Sequence, residues 1–437
     1  MKLREQVREH FDLGLFVVKW LAISSVLGTA VGALVALFLW LLDQTTRLQW
    51  QNPWLLYLLP FAGLAVGKLY QSLGRSAEGG NNLIVEQIHE PGGGVPTRMA
   101  PLVLVGTLIT HLCGGSAGRE GTAVQMGGSV AGALARALRL GPADVRLILM
   151  AGIAAGFGAV FGTPLAGAIF AMEVLIRGRI GYEALIPCLA ASIVGDQVTT
   201  ALGIQHTHYS IASFARVGLS KGASLLDGWL VAKVCVASVA FGLTSVLFAE
   251  LTHRIQHFFQ KTIHSPSFRP FIGGLVVIGL VHLVGSRDYL GLGVSPDPNS
   301  ATGVCIQSCF HTGGAAPWSW FWKLVFTAVT VGSGFKGGEV TPLFFIGAAL
   351  GNVLAVVLGA PVDLMAGLGF VAVFAGATNT PLACTIMALE LFTPGNGDLL
   401  RSGFVAYAAI ACFLSYFLSG HSGIYRAQRR IEVLKCQ

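Results

Sequence analysis

Glu120 closes a glycine-rich string, Gly114 to Gly118 followed by Arg119-Glu120-Gly121-Thr122, and stands at the head of an apolar run with small residues. A carboxylate inside apolar sequence is costly to bury and usually has a use. A helix that begins at such a break turns unbonded N–H groups and a partial positive charge toward the space before it. That end suits an anion without needing a lysine. Glu120 would occupy the place as a tethered anion. A proton would neutralise it and let it swing away, so that anion and proton alternate at one site. Gly332 to Gly338, followed by Glu339-Val340-Thr341-Pro342, offers a second break of this kind. Two more are Gly79-Gly80-Asn81-Asn82 and the Ser419-Gly420-His421-Ser422-Gly423 stretch before Tyr425.

The elements that position these residues repeat. Arg119 to Gly127 aligns with Glu339 to Gly347, each behind a glycine-rich run. Gly162-Thr163-Pro164-Leu165-Ala166 through Glu173 aligns with Asn379-Thr380-Pro381-Leu382-Ala383 through Glu390, with Thr, Pro, Leu, Ala, Ile, Ala and Glu in register. The two alignments have the same order and nearly the same spacing, so the chain is read as a duplication divided near residue 220. Basic links alternate out of phase between the halves. The link Asp43–Asn52 is nearly neutral, while His253–Arg269 carries Arg254, Lys261 and Arg269. Lys68 and Arg75 in the next link are answered by Arg287 against Asp288 and Asp297. That phase predicts inverted halves. The segments at Glu120 and Val340 are therefore expected to meet at mid-membrane.

Composition places the whole in a bilayer. Of 437 residues, 54% are hydrophobic and 11% charged, with mean hydropathy +0.69; soluble domains carry about a quarter charged residues. Apolar runs at Trp20–Leu42, Trp54–Val66 and Leu230–Phe248 match or approach the roughly 20 residues of a span. The organisation predicted is an N-terminal cytoplasmic or interfacial helix over 1–20, membrane repeats over 21–220 and 221–425, and a basic cytoplasmic tail over 426–437. Both termini are placed on the cytoplasmic side of the cell (inner) membrane. The net charge of +7 fits anionic lipid headgroups, and no nucleic-acid groove is signalled. The eight cysteines read mostly as buried thiols.

At this point the motifs resemble those of the CLC family of chloride channels and anion/proton antiporters. Gly118-Arg119-Glu120-Gly121-Thr122 is similar to the family's GREGP filter motif, and Gly337 to Pro342 to its GxFxP motif. Gly80-Asn81-Asn82-Leu83-Ile84 stands where the family has GSGIP, and Tyr425 resembles its filter tyrosine. The departures are Asn81 for Ser, Thr122 for Pro and Val340 for Phe. Together with the Gly-Gly-Glu-Val-Thr-Pro string they resemble the fluoride-transporting branch. Val174 stands where chloride/proton antiporters often carry a proton-relay glutamate, another likeness to that branch.

The resemblance implies an all-α polytopic membrane protein, a CLC-like inverted repeat of broken and tilted helices, forming a homodimer with one pathway per subunit. It implies a fluoride/proton antiporter that exports fluoride from the cytoplasm, with Glu120 as gate and proton carrier. Fluoride is small and the strongest hydrogen-bond acceptor among the halides. Its site needs short, strong donors: the Asn81 amide, the Thr341 and Tyr425 hydroxyls, and the N–H groups of Gly121 and Val340. Glu339, Thr122 and Arg119 are accessory candidates; Arg119 is read as tying loops together, and Glu173 and Glu390 as structural. Fluoride, protons and the bilayer are the partners, and neither cofactor nor metal is called for. The alternatives are a chloride channel or chloride/proton antiporter of the same fold and, more distantly, an intramembrane serine enzyme. The last rests on Gly114-x-Ser116-x-Gly118, a pattern that belongs on a strand-to-helix elbow. His253 and His257 do not make a zinc motif, because Arg254 sits where Glu is needed.

Overall fold

The computed structural model describes residues 2–207, 209–211, 226–294, 303–392, 403–420 and 422–430, with side chains from His10 onward. The repeat boundary near 220, His421 and the 431–437 part of the basic tail lie outside the described residues.

The first element is one helix, α1 (Lys2–Gln51). The interfacial helix expected over 1–20 is not a separate element, and the link expected at Asp43–Asn52 is helical to Gln51. No proline interrupts this segment, and a change from charged to apolar side chains does not by itself end a helix. At 1.5 Å per residue α1 is about 75 Å long, more than twice a bilayer core of about 30 Å. It is followed by α2 (Leu59–Leu73), α3 (Gly80–His89), α4 (Met99–Leu112), α5 (Glu120–Ala137), α6 (Pro142–Phe161), α7 (Pro164–Glu173) and α8 (Leu185–Ala201). The later half holds α9 (Gly228–Thr262), α10 (Phe268–Val284), α11 (Ser319–Gly332), α12 (Val340–Leu358), α13 (Val362–Thr378), α14 (Pro381–Phe392) and α15 (Phe404–Ser419). The link expected from His253 is likewise helical, and α9 ends only at Thr262.

Among the described residues, six helical segments are long and apolar enough to cross a membrane, α1, α6, α9 and α12 being four of them. Others are not: α3 and α7 have 10 residues and α14 has 12. Helices of about 15–18 Å stop inside a 30 Å core, and their ends need partners there. The fold supplies them by reciprocal exchange. The Glu173 carboxylate, at the end of α7, accepts from Leu382 N (3.1 Å) and Ala383 N (2.8 Å) at the start of α14. The Glu390 carboxylate, near the end of α14, accepts from Leu165 N (2.9 Å) and Ala166 N (2.8 Å) at the start of α7. Each short helix is thus capped by the other, as a two-fold relation between halves requires.

The same relation recurs in the packing. α5 lies on α6 with Gly127 against Gly152, where an added Cβ would come 2.0 Å from a carbonyl oxygen. α12 lies on α13 with Gly347 against Gly369 at the same 2.0 Å. Small residues let these backbones touch, the usual basis of tight packing in lipid. Between the pairs runs a core of phenylalanines, with Phe157 stacked on Phe170 (4.4 Å) and Phe344 on Phe370 (3.9 Å). The fold is the all-α inverted repeat expected, with helices broken at membrane depth.

Removing the Glu173 carboxylate strands the N–H groups of Leu382 and Ala383 at the start of α14. Glu173→Ala is expected to lower stability by about 2–4 kcal/mol, measured by reversible unfolding in mixed micelles. Glu173→Gln, which keeps an acceptor oxygen, is expected to lose less than half as much.

Candidate functional site: an anion filter

The two glycine-rich strings meet. Gly118 N donates to Gly338 O (2.6 Å) and Gly338 N to Gly118 O (2.7 Å), an isolated antiparallel bridge between the halves. It sets the start of α5 beside the start of α12. Glu120, first residue of α5 and 1% exposed, reaches across the junction. Its carboxylate accepts from Arg119 N (3.0 Å), from Thr341 N (3.1 Å) and, at a short distance, from Thr341 Oγ1. Three donors from two helix starts hold one carboxylate group. Charge-assisted bonds of this kind are roughly twice as strong as neutral ones, and they weaken when the acid is protonated. Thr341 therefore serves Glu120 here, and becomes free for another anion only when Glu120 departs.

Glycine is required on both sides of the bridge. A Cβ on Gly118 would sit 2.7 Å from Glu120 Oε2. A Cβ on Gly338 would sit 2.8 Å from Gly121 N and 3.2 Å from Glu120 N. The space left by the missing Gly338 side chain is thus bordered by two first-turn amides of α5, the Gly121 N–H among them. Val340, also expected to offer its N–H, is the buried first residue of α12, with Glu339 as its N-cap.

Asn81 joins from α3, which starts at Gly80 with φ +55°, a conformation that favours glycine. Its Nδ2 lies 3.2 Å from where a Gly121 Cβ would be, and its Oδ1 is buried without a hydrogen-bond partner. Tyr425 is buried, edge-on to Phe170 at 6.4 Å, and lies within electrostatic range of Glu339 and Glu120. Glu339 is half-buried, and its carboxylate makes no hydrogen bond or ion pair among the described residues.

The accessory candidates are placed as follows. The Thr122 hydroxyl pairs with Thr107 of α4 at 2.7 Å, both fully buried. Arg119 stands between the loops that carry Thr207 and Val294 and also beside Glu120. Its Nε lies 3.7 Å from Glu120 Oε1, and the residue lines a small cavity of about 20 Å³ with Glu120, Thr207, Tyr209, Thr341 and Phe344. A cavity of that size holds one water-sized species. Arg119, Thr207 and Val294 also line a wider vestibule of about 610 Å³ with Asp43, Arg47 and His206, so Glu120 sits beneath an open mouth. The Ser116 hydroxyl of the esterase-like string is buried against Thr327 Oγ1 at 2.9 Å.

Other contributors escaped the sequence reading. Asn82 Oδ1 accepts from Ala427 N (3.0 Å), fixing the turn that carries Tyr425 against α3. Lys323, fully buried on α11, donates to the carbonyls of Tyr289, Leu290 and Gly291 (3.2, 3.4 and 2.7 Å) and so holds the segment that leads to Val294. A lone lysine in an apolar helix marks a buried partner, but nothing local says which carbonyls.

A family model described as voltage gated chloride channel matches residues 62–420. A chloride/fluoride channel protein of Pseudomonas syringae pv. tomato is 49% identical over 423 residues, covering 96% of this chain and 88% of that protein. The solved structure of a CLC-type fluoride/proton antiporter aligns with TM-score 0.84 at 33% identity, covering 94% of this chain and 98% of the other. A slow cyanobacterial Cl⁻/H⁺ antiporter shares the fold, with TM-score 0.73 at 19% identity over 93% and 96% of the two chains.

Gly338→Ala fills the space beside the Gly121 and Glu120 amides. Halide affinity of the purified protein, by isothermal titration, is expected to fall about tenfold or more, a loss of at least about 1.4 kcal/mol, while the helical circular dichroism is unchanged.

Proposed function

Since the chain belongs to the voltage-gated chloride channel, or CLC, family, we propose that it is a fluoride/proton antiporter that exports fluoride from the cytoplasm. The observation that carries this reading is the Glu120 carboxylate lying among Thr341 N, Thr341 Oγ1 and Arg119 N. A side-chain anion there blocks the ion's path and uses the ion's donors. Protonation removes its charge, weakens those bonds and releases it toward the vestibule above. An anion then takes the donors, and its departure lets the deprotonated carboxylate return. With the proton taken up from the vestibule and released to the opposite side, each cycle moves an anion one way and a proton the other.

Fluoride is favoured over chloride by what surrounds the junction. The cavity above Glu120 is about 20 Å³. The Asn81 amide, beside Gly121, adds a directional donor where the family has a hydroxyl. The fluoride/proton antiporter structure points the same way, and the name of the Pseudomonas relative gives fluoride beside chloride. Tyr425 and Val340 complete the donor set on the Asn81 side. Glu339, whose carboxylate makes no hydrogen bond or ion pair among the described residues, is the carboxylate available to pass the proton onward.

The orientation follows from charge. Lys68, Arg75, Arg254, Lys261 and Arg269 cluster at the end shared by α2, α9 and α10, where Ser267 bonds Gln71. At the Glu120 mouth, Arg47 is paired with Asp43. The basic end is cytoplasmic by the positive-inside rule, so Glu120 faces out. The active unit is a homodimer, as the family resemblance implies. Neutral HF that enters from acidic surroundings dissociates inside, and inward protons drive the ion out again.

Liposomes containing the purified protein test this. Fluoride efflux is expected to exceed chloride efflux at least tenfold and to drive proton uptake. Equal chloride flux would move the assignment to a chloride antiporter, and fluoride flux without proton movement to a channel. Glu120→Gln is expected to abolish proton uptake driven by a fluoride gradient, because the amide does not titrate; persistent uptake would place the proton carrier elsewhere. Asn81→Ala is expected to narrow the fluoride-to-chloride ratio severalfold.

A further inference from the structure

We propose that the cytoplasmic end of α9 holds one anionic glycerophospholipid, its phosphate on Arg254, His257 and Lys261 and an acyl chain in the groove between α9, α10 and α11. Two features adjoin there. The first is a basic strip. His253, His257 and Lys261 are spaced four apart and share a helix face, with Arg254 beside them. Together with Phe258 they border a shallow recess of about 380 Å³. Arg254 is paired with Glu250 at 3.8 Å in an exposed i,i+4 bridge, but Lys261 and His257 have no hydrogen bond or ion pair among the described residues. The strip is net positive at the end of a spanning helix, where headgroups lie.

The second feature is an apolar groove of about 540 Å³ that shares Arg254 and Phe258 with the strip as walls. Ile255, Ile263, Ile272, Val276 and Val329 line it. Phe258 is 62% exposed and Val276 41%, so the groove opens outward from the protein. A bilayer fills such a space with an acyl chain. A charged ring at headgroup height next to a chain-sized groove fits a single molecule that carries both parts. A zwitterionic lipid offers no net charge to the strip. Each Lys or Arg near an anionic headgroup adds roughly fivefold to binding.

The groove also touches the machinery. Its floor includes Val329, which is 8% exposed on α11. One turn later Gly332 packs on α9, where an added Cβ would lie 2.8 Å from Ile255 Cγ2 and 3.2 Å from Thr252 O. From Gly332 the chain runs through the Gly332–Gly338 turn to Glu339 and Val340. A seated lipid therefore braces the helix that delivers the second filter string.

Native mass spectrometry of the full-length protein, titrated with phosphatidylglycerol or phosphatidylcholine, tests the site independently of any transport assay. Phosphatidylglycerol is expected to bind about tenfold more tightly. Arg254→Gln with Lys261→Gln is expected to erase that preference. Val276→Trp fills the groove without changing charge and is expected to weaken phosphatidylglycerol binding at least fivefold; Ile272→Trp serves if the first variant does not fold. A preference that survives the charge substitutions overturns the proposal. Full binding in both groove-filled variants, or displacement of the lipid by millimolar inorganic phosphate, reduces the site to a headgroup contact and overturns it as well.

Discussion

Two hydrogen bonds between glycines join the halves at the filter. Gly118 and Gly338 exchange their N–H and C=O groups at 2.6 and 2.7 Å, and that exchange aims two helix starts at one point. Backbone without helix or sheet partners does not survive inside a membrane unless protein satisfies it, and here each half satisfies the other. The remaining breaks follow the same rule. Glu173 caps α14 and Glu390 caps α7. Duplication supplies complementary needs at matched places, and an inverted relation lets them meet.

That constraint makes an anion site almost unavoidable. Amides at the starts of α5 and α12 converge across Gly118 and Gly338, a setting that favours a negative group. Glu120 fills the place from within the chain. A fixed lysine would hold the ion through long-range charge. In the proposed function, amides, hydroxyls and the Asn81 carboxamide hold it through short bonds that favour a small, strongly accepting ion and release it when a competitor returns. Arg119, at the cavity wall 3.7 Å from Glu120, adds positive field without a direct bond.

Much of this was legible in the residues. Glycine clusters at matched positions, a carboxylate beside one and a Thr-Pro beside the other, fix both the repeat and the junction, because those types have few other uses in apolar sequence. The pairing of Glu173 with Glu390 by repeat marked them as structural, although not which amides they cap. The remainder depends on contacts between distant segments. Thr122 looks free in its motif and is held by Thr107; Asn82 looks like a turn residue and anchors Ala427; Lys323 finds three carbonyls more than thirty residues earlier. The length of α1 was hidden for another reason. The side chains change character near Lys19 and Trp20, and composition suggests a boundary that backbone propensity does not impose.

The central claim is that Glu120 and the transported ion compete for the same donors, with a proton deciding the winner. Isothermal titration of fluoride into the detergent-solubilised protein, repeated in buffers of different ionisation enthalpy, counts the protons taken up per ion bound. Competition requires uptake of about one proton per fluoride in the wild-type chain, by linkage between the two binding events, and none in Glu120→Gln. Fluoride binding by the wild-type chain with no proton uptake would contradict it.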